Sequence, residues 1–184
     1  MILATVFGGT SLRADSLLTE TPGPADFVLA AEGRSAAIWL ESGTDKSILR
    51  AAGDLAADVE RVTGVRPQVS QDPAVLHGPV VLIGMLGQSK LIDGLAASGK
   101  LEIHGVRGAW ESFVVQVVRQ PAPGVDQALV IAGSDRRGTI YGIYEVSTSI
   151  GVSPWYWWAD VPVTKRTALA IRAGAHRQGP PAVK

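Results

Sequence analysis

Ala128 to Gly151 reads ALVIAGSDRRGTIYGIYEVSTSIG, and this stretch decides the fold. Its opening, Ala128-Leu129-Val130-Ile131-Ala132, is a continuous apolar run of strand length. Gly133 and Ser134 break the run. Ser134 is a suitable N-cap, and Asp135 suits the first turn, near the positive end of a helix dipole. The spacing predicts a helix over about 135–149. Ile140, Tyr144 and Ser147, with Ile143 and Ile150, form its expected buried stripe, and Gly151 is its stop signal. A strand that runs straight into a helix is the building unit of a sheet with helices packed on it.

The same alternation extends outward from this stretch. Val80-Val81-Leu82-Ile83-Gly84 is a second apolar run, expected to be buried on both faces. It turns through Gly84 to Ser89 into a helix over about 89–97, which Gly99 stops. Ile48, Ala52, Leu55, Val59 and Val62 share one face of a helix over 46–63. Asp54, Asp58, Glu60 and Arg61 fall mostly on the opposite face. Gly64 and Pro67 end that helix. Strands are expected at Phe27–Leu29, Ala37–Leu40 and Ser112–Val118, with short ones near 161–163 and 168–171. Pro121 to Gly124 reads as a tight connection. The predicted class is α/β of the α+β type, a mixed β-sheet with about three packed helices. One domain is expected over 27–174. Residues 1–26 read as disordered or as the remnant of a signal sequence, and 175–184 as a linker.

Composition narrows the function. Apolar residues make up 46% of the 184 and charged residues 18%, which supports a buried core and excludes a disordered chain. The 17 basic and 17 acidic residues balance, so no basic excess marks nucleic acid or an anionic membrane as a partner. The absence of cysteine excludes disulfides, thiolate catalysis and cysteine–zinc sites. The apolar start, Met1 to Leu12, lacks the basic region of a signal peptide, and Arg13 follows it. It reads either as the tail of a signal sequence or as a frayed N-terminus.

Two segments carry candidate chemistry, each with two readings. In Gly133 to Thr139 the free N–H groups of a helix start attract anions, and Arg136 and Arg137 add bidentate carboxylate recognition. Alternatively, the arginines pair with Asp135 or line an interface. Trp155-Tyr156-Trp157-Trp158 offers aromatic faces for a sugar ring, or builds a core or interdomain contact. Gly84-Met85-Leu86-Gly87 lacks the lysine of a phosphate loop and reads as a turn, with nucleotide binding the weaker alternative. His77, His104 and His176 lie too far apart for a local metal motif, and no cofactor is indicated. Glu111, Asp135, Glu145 and Asp160 show no spacing that marks a catalytic carboxylate pair; caps and salt bridges account for them.

Residues 128–163, ALVIAGSDRRGTIYGIYEVSTSIGVSPWYWWADVPV, resemble the signature stretch of family 115 glycoside hydrolases, the xylan α-1,2-glucuronidases. Trp110-Glu111-Ser112-Phe113 is similar to the family's W-E-S-F strand start. Gly84 to Asp93, GMLGQSKLID, is similar to its G-T-L/I-G-K-S-x-L-I-D segment, and Ala51 to Gly64 to its first long helix. Gln88 stands where lysine is usual, and Gly53 interrupts the helix. The likeness covers roughly residues 27–184.

The resemblance implies an N-terminal, non-catalytic α/β domain, similar to the one that precedes the barrel in hexosaminidases and in the other α-glucuronidase family. It implies removal of glucuronate, or its 4-O-methyl ether, from glucuronoxylan by a following (β/α)8 barrel that holds the catalytic carboxylates. Gly179 to Lys184, GPPAVK, matches the linker into that barrel, so the chain is expected to stop short of it. Arg136, Arg137, Trp155, Tyr156, Trp157, Trp158 and Asp160 then become contacts to substrate or to the barrel, with docking through 153–163. If that segment is left uncovered, weak self-association is expected. The family likeness also leans towards a secreted or periplasmic location.

Overall fold

The computed structural model of the chain describes residues 17–159 and 161–182, without the side chains of Trp157 and Trp158. The readings made for residues 1–16 and for Asp160 lie outside the described residues. In chain order the elements are β1 (Leu18–Thr19), β2 (Phe27–Ala31), β3 (Arg34–Ser35), β4 (Ala37–Leu40), α1 (Lys46–Thr63), β5 (Val69–Ser70), β6 (Val80–Met85), α2 (Lys90–Ala97), β7 (Phe113–Ala122), β8 (Val125–Gly133), α3 (Arg136–Ser149), α4 (Tyr156–Ala159), β9 (Ala168–Ile171) and β10 (Ala175–Gln178). A single 3-10 turn, Pro73–Val75, precedes β6.

Among the described residues the strands form two sheets. The larger has the order β10-β7-β8-β6-β4-β5 and the smaller β1-β9-β2-β3. β5, β4, β6 and β8 run parallel to one another, while β7 and β10 complete the large sheet antiparallel. The sheet is therefore mixed, as expected. The small sheet is antiparallel throughout.

The continuous apolar runs are explained by burial on both faces. Val81, Ile83, Leu129 and Ile131 point to one side, where they meet the apolar stripes of α1 and α3 and the small sheet. Val80, Leu82, Ala128, Val130 and Ala132 point to the other, where Ile92 and Leu95 of α2 cover them with Leu101 and Val106. Period-two alternation is absent from these strands because neither face meets water.

On the α1 side, α3 lies very close to the sheet. A Cβ on Gly133 would overlap the backbone of Thr139, and one on Gly138 would overlap the Ser112 carbonyl. A Cβ on Gly142 would press on Ile131 and Phe113. These three glycines let the helix backbone rest almost directly on β7 and β8. Gly64 ends α1 with φ +81°, and its N–H donates to Glu60 O at 2.7 Å.

Several expectations need correction. The N-cap of α3 is Asp135, not Ser134: its carboxylate accepts from Gly138 N at 2.8 Å, whereas the Ser134 hydroxyl accepts from Ser112 N. Tyr144 is not in the buried stripe; it is 43% exposed, and Gly138, Thr139, Gly142 and Val146 take the inner positions beside Ile143 and Ser147. Residues 161–163 form no strand. β9 is a strand as expected, but it belongs to the small sheet, between β1 and β2. Leu18–Thr19, within the stretch read as disordered, pairs with β9. Ala175–Gln178, within the stretch read as linker, is an edge strand on β7. Its sequence, AHRQ, has no apolar run, and its side chains are half-buried or exposed.

The glycines separate two kinds of position. Gly138→Ala is expected to lower stability by more than about 2 kcal/mol, since backbone must move to admit the methyl group. Gly53, inside α1, has open space around its Cβ direction. Gly53→Ala is expected to raise stability by about 0.5–1 kcal/mol. Urea denaturation of both variants checks the pair.

Candidate functional site

The turn from β8 into α3 is held by a compact polar knot. Asp135 accepts from Gly138 N with Oδ1 and from Glu111 N with Oδ2, at 2.8 and 2.7 Å. Ser134 N donates to Ser112 O at 2.8 Å, and Ser112 Oγ donates to Trp110 O at 3.0 Å. The segment Trp110 to Ser112 is thereby stitched to the helix start. The anion cradle read from the sequence is filled from within, by the chain's own carboxylate.

The two arginines do not pair with Asp135. Arg137 reaches Glu111 at 2.6 Å, and that hydrogen bond raises the guanidinium's already high pKa further. Arg136 approaches Asp45, the N-cap of α1, at 3.8 Å. Hydrogen bonds from Ser47 to Asp45 hold that carboxyl below the usual carboxylate range, with Arg136 adding to the effect. Both arginines remain exposed at one end of α3.

The aromatic segment lies at the other end of α3. Ser153 starts the short helix α4: its carbonyl accepts from Tyr156 N at 2.9 Å and its hydroxyl from Trp155 N at 3.1 Å. Trp155 is 65% exposed. Tyr156 turns inward, with the Arg61 guanidinium over its ring at 5.2 Å. Thus the structure separates Arg136 and Arg137 from Trp155 and Tyr156, along the length of α3.

Between α1 and α3 lies a cleft of about 500 Å³ that the sequence reading missed. Arg50, Asp54, Asp58 and Arg61 line it from α1, and Tyr144 and Ser147 from α3. The signal was present as charged residues recurring every three or four positions on α1, the spacing of one helical face. It was assigned to solvent because the partner helix was not yet placed. Asp58 is in fact only 7% exposed and hydrogen-bonds to Arg61. Burial pushes its pKa up, against the opposing pull of the Ser147 hydroxyl and Arg61. Tyr144 donates its hydroxyl to Asp54 at 2.8 Å. Burial, then Asp54, pushes the Tyr144 pKa up to about 12.

The remaining sequence candidates have structural roles. Glu145 faces His176 of β10 at 3.4 Å. Gly84 to Gly87 forms a turn, where Gly84 leaves room for Ser89 and Ile92. Glu41 accepts from Ser89 Oγ and Lys90 N, so a carboxylate also occupies the start of α2. Among the described residues no three histidine, aspartate or glutamate side chains gather as a metal site would require. No helix there is long and apolar enough to cross a membrane.

With this geometry established, the chain takes its place as a glycoside-hydrolase-related α+β domain. A family GH115 4-O-methyl-α-glucuronidase with specificity for decorated arabinogalactans is similar to it over 84% of the chain, with 29% identity and a TM-score of 0.63. The chain spans 18% of the length of that enzyme. Two further solved structures match: the GH20 β-N-acetylhexosaminidase from Streptomyces coelicolor A3(2) (15% identity, 87% of this chain, 24% of that one, TM-score 0.42) and CpGH84D (11%, 79%, 21%, 0.42). No protein-family model matches the sequence, and no curated protein matches it.

Asp135→Ala is expected to cost about 2 kcal/mol, since two backbone N–H groups lose their acceptor. Arg136→Ala should stay within about 0.5 kcal/mol, as its ion pair is exposed. Asp58 gives a pH signature. A raised native pKa means the folded state holds this proton more tightly than the unfolded state does. The stabilisation is complete below the unfolded-state pKa and is lost as pH rises through the native one. Thermal unfolding of the wild type and Asp58→Asn from about pH 3 to pH 7 should show the wild type losing ground to the variant as pH increases.

Proposed function

We propose that this chain is the non-catalytic N-terminal domain of an α-glucuronidase that removes glucuronate, or its 4-O-methyl ether, from polysaccharide side branches. The observation that carries the reading is the likeness to the family GH115 enzyme across 84% of the chain. The signature residues support it, because they fall on the segment that organises the fold. Gly133, Gly138 and Gly142 seat α3 on the sheet, and Asp135 ties its start to Trp110-Glu111-Ser112.

The disposition of the carboxylates supports a non-catalytic role. Asp135 caps a helix, Glu111 pairs with Arg137, and Glu145 faces His176. These committed groups are not poised across an open bond-breaking site as glycoside hydrolysis requires.

In this reading the catalytic barrel follows the domain, and the 153–163 segment docks on it. The exposure of Trp155 and Val161 is what such a contact needs. Arg136 and Arg137, exposed at the opposite end of α3, form a second interdomain contact in this proposal. Weak self-association of the isolated chain through 153–163 is part of this proposal. Glucuronoxylan is the substrate that the signature residues favour, and decorated arabinogalactan is the polymer acted on by the structural neighbour.

The test uses the purified 184-residue chain on both polysaccharides, with release of glucuronate and methylglucuronate measured by chromatography. No release is expected from either polymer. Detectable release would overturn the non-catalytic assignment.

A further inference from the structure

The cleft between α1 and α3 borders the 153–163 segment at Ser153, Pro154 and Tyr156, but its helix residues have no part in the contacts assigned above, and it is built like a binding site. Its volume, about 500 Å³, lies in the range of small-molecule sites, and its lining combines apolar surface with convergent polar groups. Those groups are fixed before any ligand arrives. Tyr144 is held on Asp54, and Arg61 on Asp58.

One group in the cleft is left over. Ser147 is 3% exposed, and its hydroxyl has no hydrogen-bond partner among the described residues. It lies close enough to Asp58 to ease that carboxylate's charge, but without the geometry of a hydrogen bond. A buried hydroxyl without a partner is uncommon and marks a place where an occupant would supply one. Ser147 lines the cleft, so the occupant would come from there.

The charges indicate the kind of occupant. Arg50 and Arg61 balance Asp54 and Asp58, so the lining is neutral as a whole but dense in both donors and acceptors. An anionic ligand would meet two carboxylates, and a cationic one two guanidinium groups. A ring bearing several hydroxyls suits both, since each hydroxyl donates to a carboxylate and accepts from a guanidinium or a serine. The Tyr144 and Tyr156 rings add the apolar surface that a sugar ring packs on.

We propose that this cleft binds a neutral sugar unit, a segment of the polysaccharide that carries no glucuronate. The ligand class rests on the α-glucuronidase reading; the site itself rests on the cleft. Its effect would be to hold the polymer on this domain while its charged branch is processed elsewhere in the enzyme.

Amide NMR titration of the 15N-labelled chain tests this, with xylotriose, β-1,6-galactobiose and glucuronic acid as probes. At least one neutral probe is expected to shift the resonances of residues 54–58 and 144–148, with glucuronic acid weaker by about tenfold or more. Tyr144→Phe, at a half-exposed position that keeps the ring, should weaken the neutral probe by about tenfold through loss of the Asp54 hydrogen bond. Lys100→Ala, beyond α2 on the opposite face of the sheet, should leave the affinity unchanged. No shifts from either neutral probe, or shifts confined to residues 155–163, would overturn the proposal. Preference for glucuronic acid would overturn it equally. A silent titration leaves the domain assignment standing, while glycoside hydrolysis by the isolated chain removes that assignment and leaves measured binding intact.

Discussion

The seating of α3 on β7 and β8 is the contact on which the rest of the structure depends. Gly133 and Gly138 bring backbone against backbone, and Gly142 lets the helix backbone rest on the Ile131 and Phe113 side chains. Asp135 then binds both the helix start and the Glu111 N–H, fixing the helix against the strand that β7 continues. Close approach and polar stitching work together here. Without the glycines the helix would stand off the sheet; without the carboxylate its first turn would hold unpaired donors beside a buried strand.

This seating sets the geometry of α1, which packs on α3 across the same sheet face. The cleft lies where Tyr144 and Ser147 of α3 stand across from Asp54 and Asp58 of α1. Its polar groups are affordable in a half-buried place because most of them find partners within it. The surface of α3 thus carries distinct chemistries along its length: arginines at its start, a sugar-sized cleft by its later turns, and an exposed tryptophan just beyond its end.

The large sheet was legible because apolar runs such as VVLI and ALVIA have only one stable home, a strand buried on both faces. The helices were legible from their periodicity, and α1 was placed over 46–63 from spacing alone. The small sheet was not. β1 and β3 are two residues long, and β2 and β9 pair across about 140 positions of sequence, too far for any local pattern to report. β10 was missed for a related reason, since the sequence of a polar edge strand resembles a loop. At the site, Arg136, Arg137 and Trp155 were singled out for their residue types, and the structure gives them exposed positions. Asp54, Asp58 and Tyr144 were passed over because a helix alone does not show which of its polar residues will meet a neighbour.

Sequence alone thus determined the three long helices and the central strands, the burial of those strands and the likeness of 128–163 to a glycoside hydrolase signature. The first two follow from local composition, periodicity and spacing; the last is a resemblance of motifs, residue by residue. Tertiary structure alone decided that Asp135 rather than Ser134 caps α3, that Tyr144 lies half-exposed against Asp54, and that Asp58 lies under cover beside Ser147. Each of these depends on a partner distant in the chain, Glu111 N for the cap and a facing helix for the cleft. Which acceptor a donor finds, and how far water is excluded from a charge, is settled only when the layers meet.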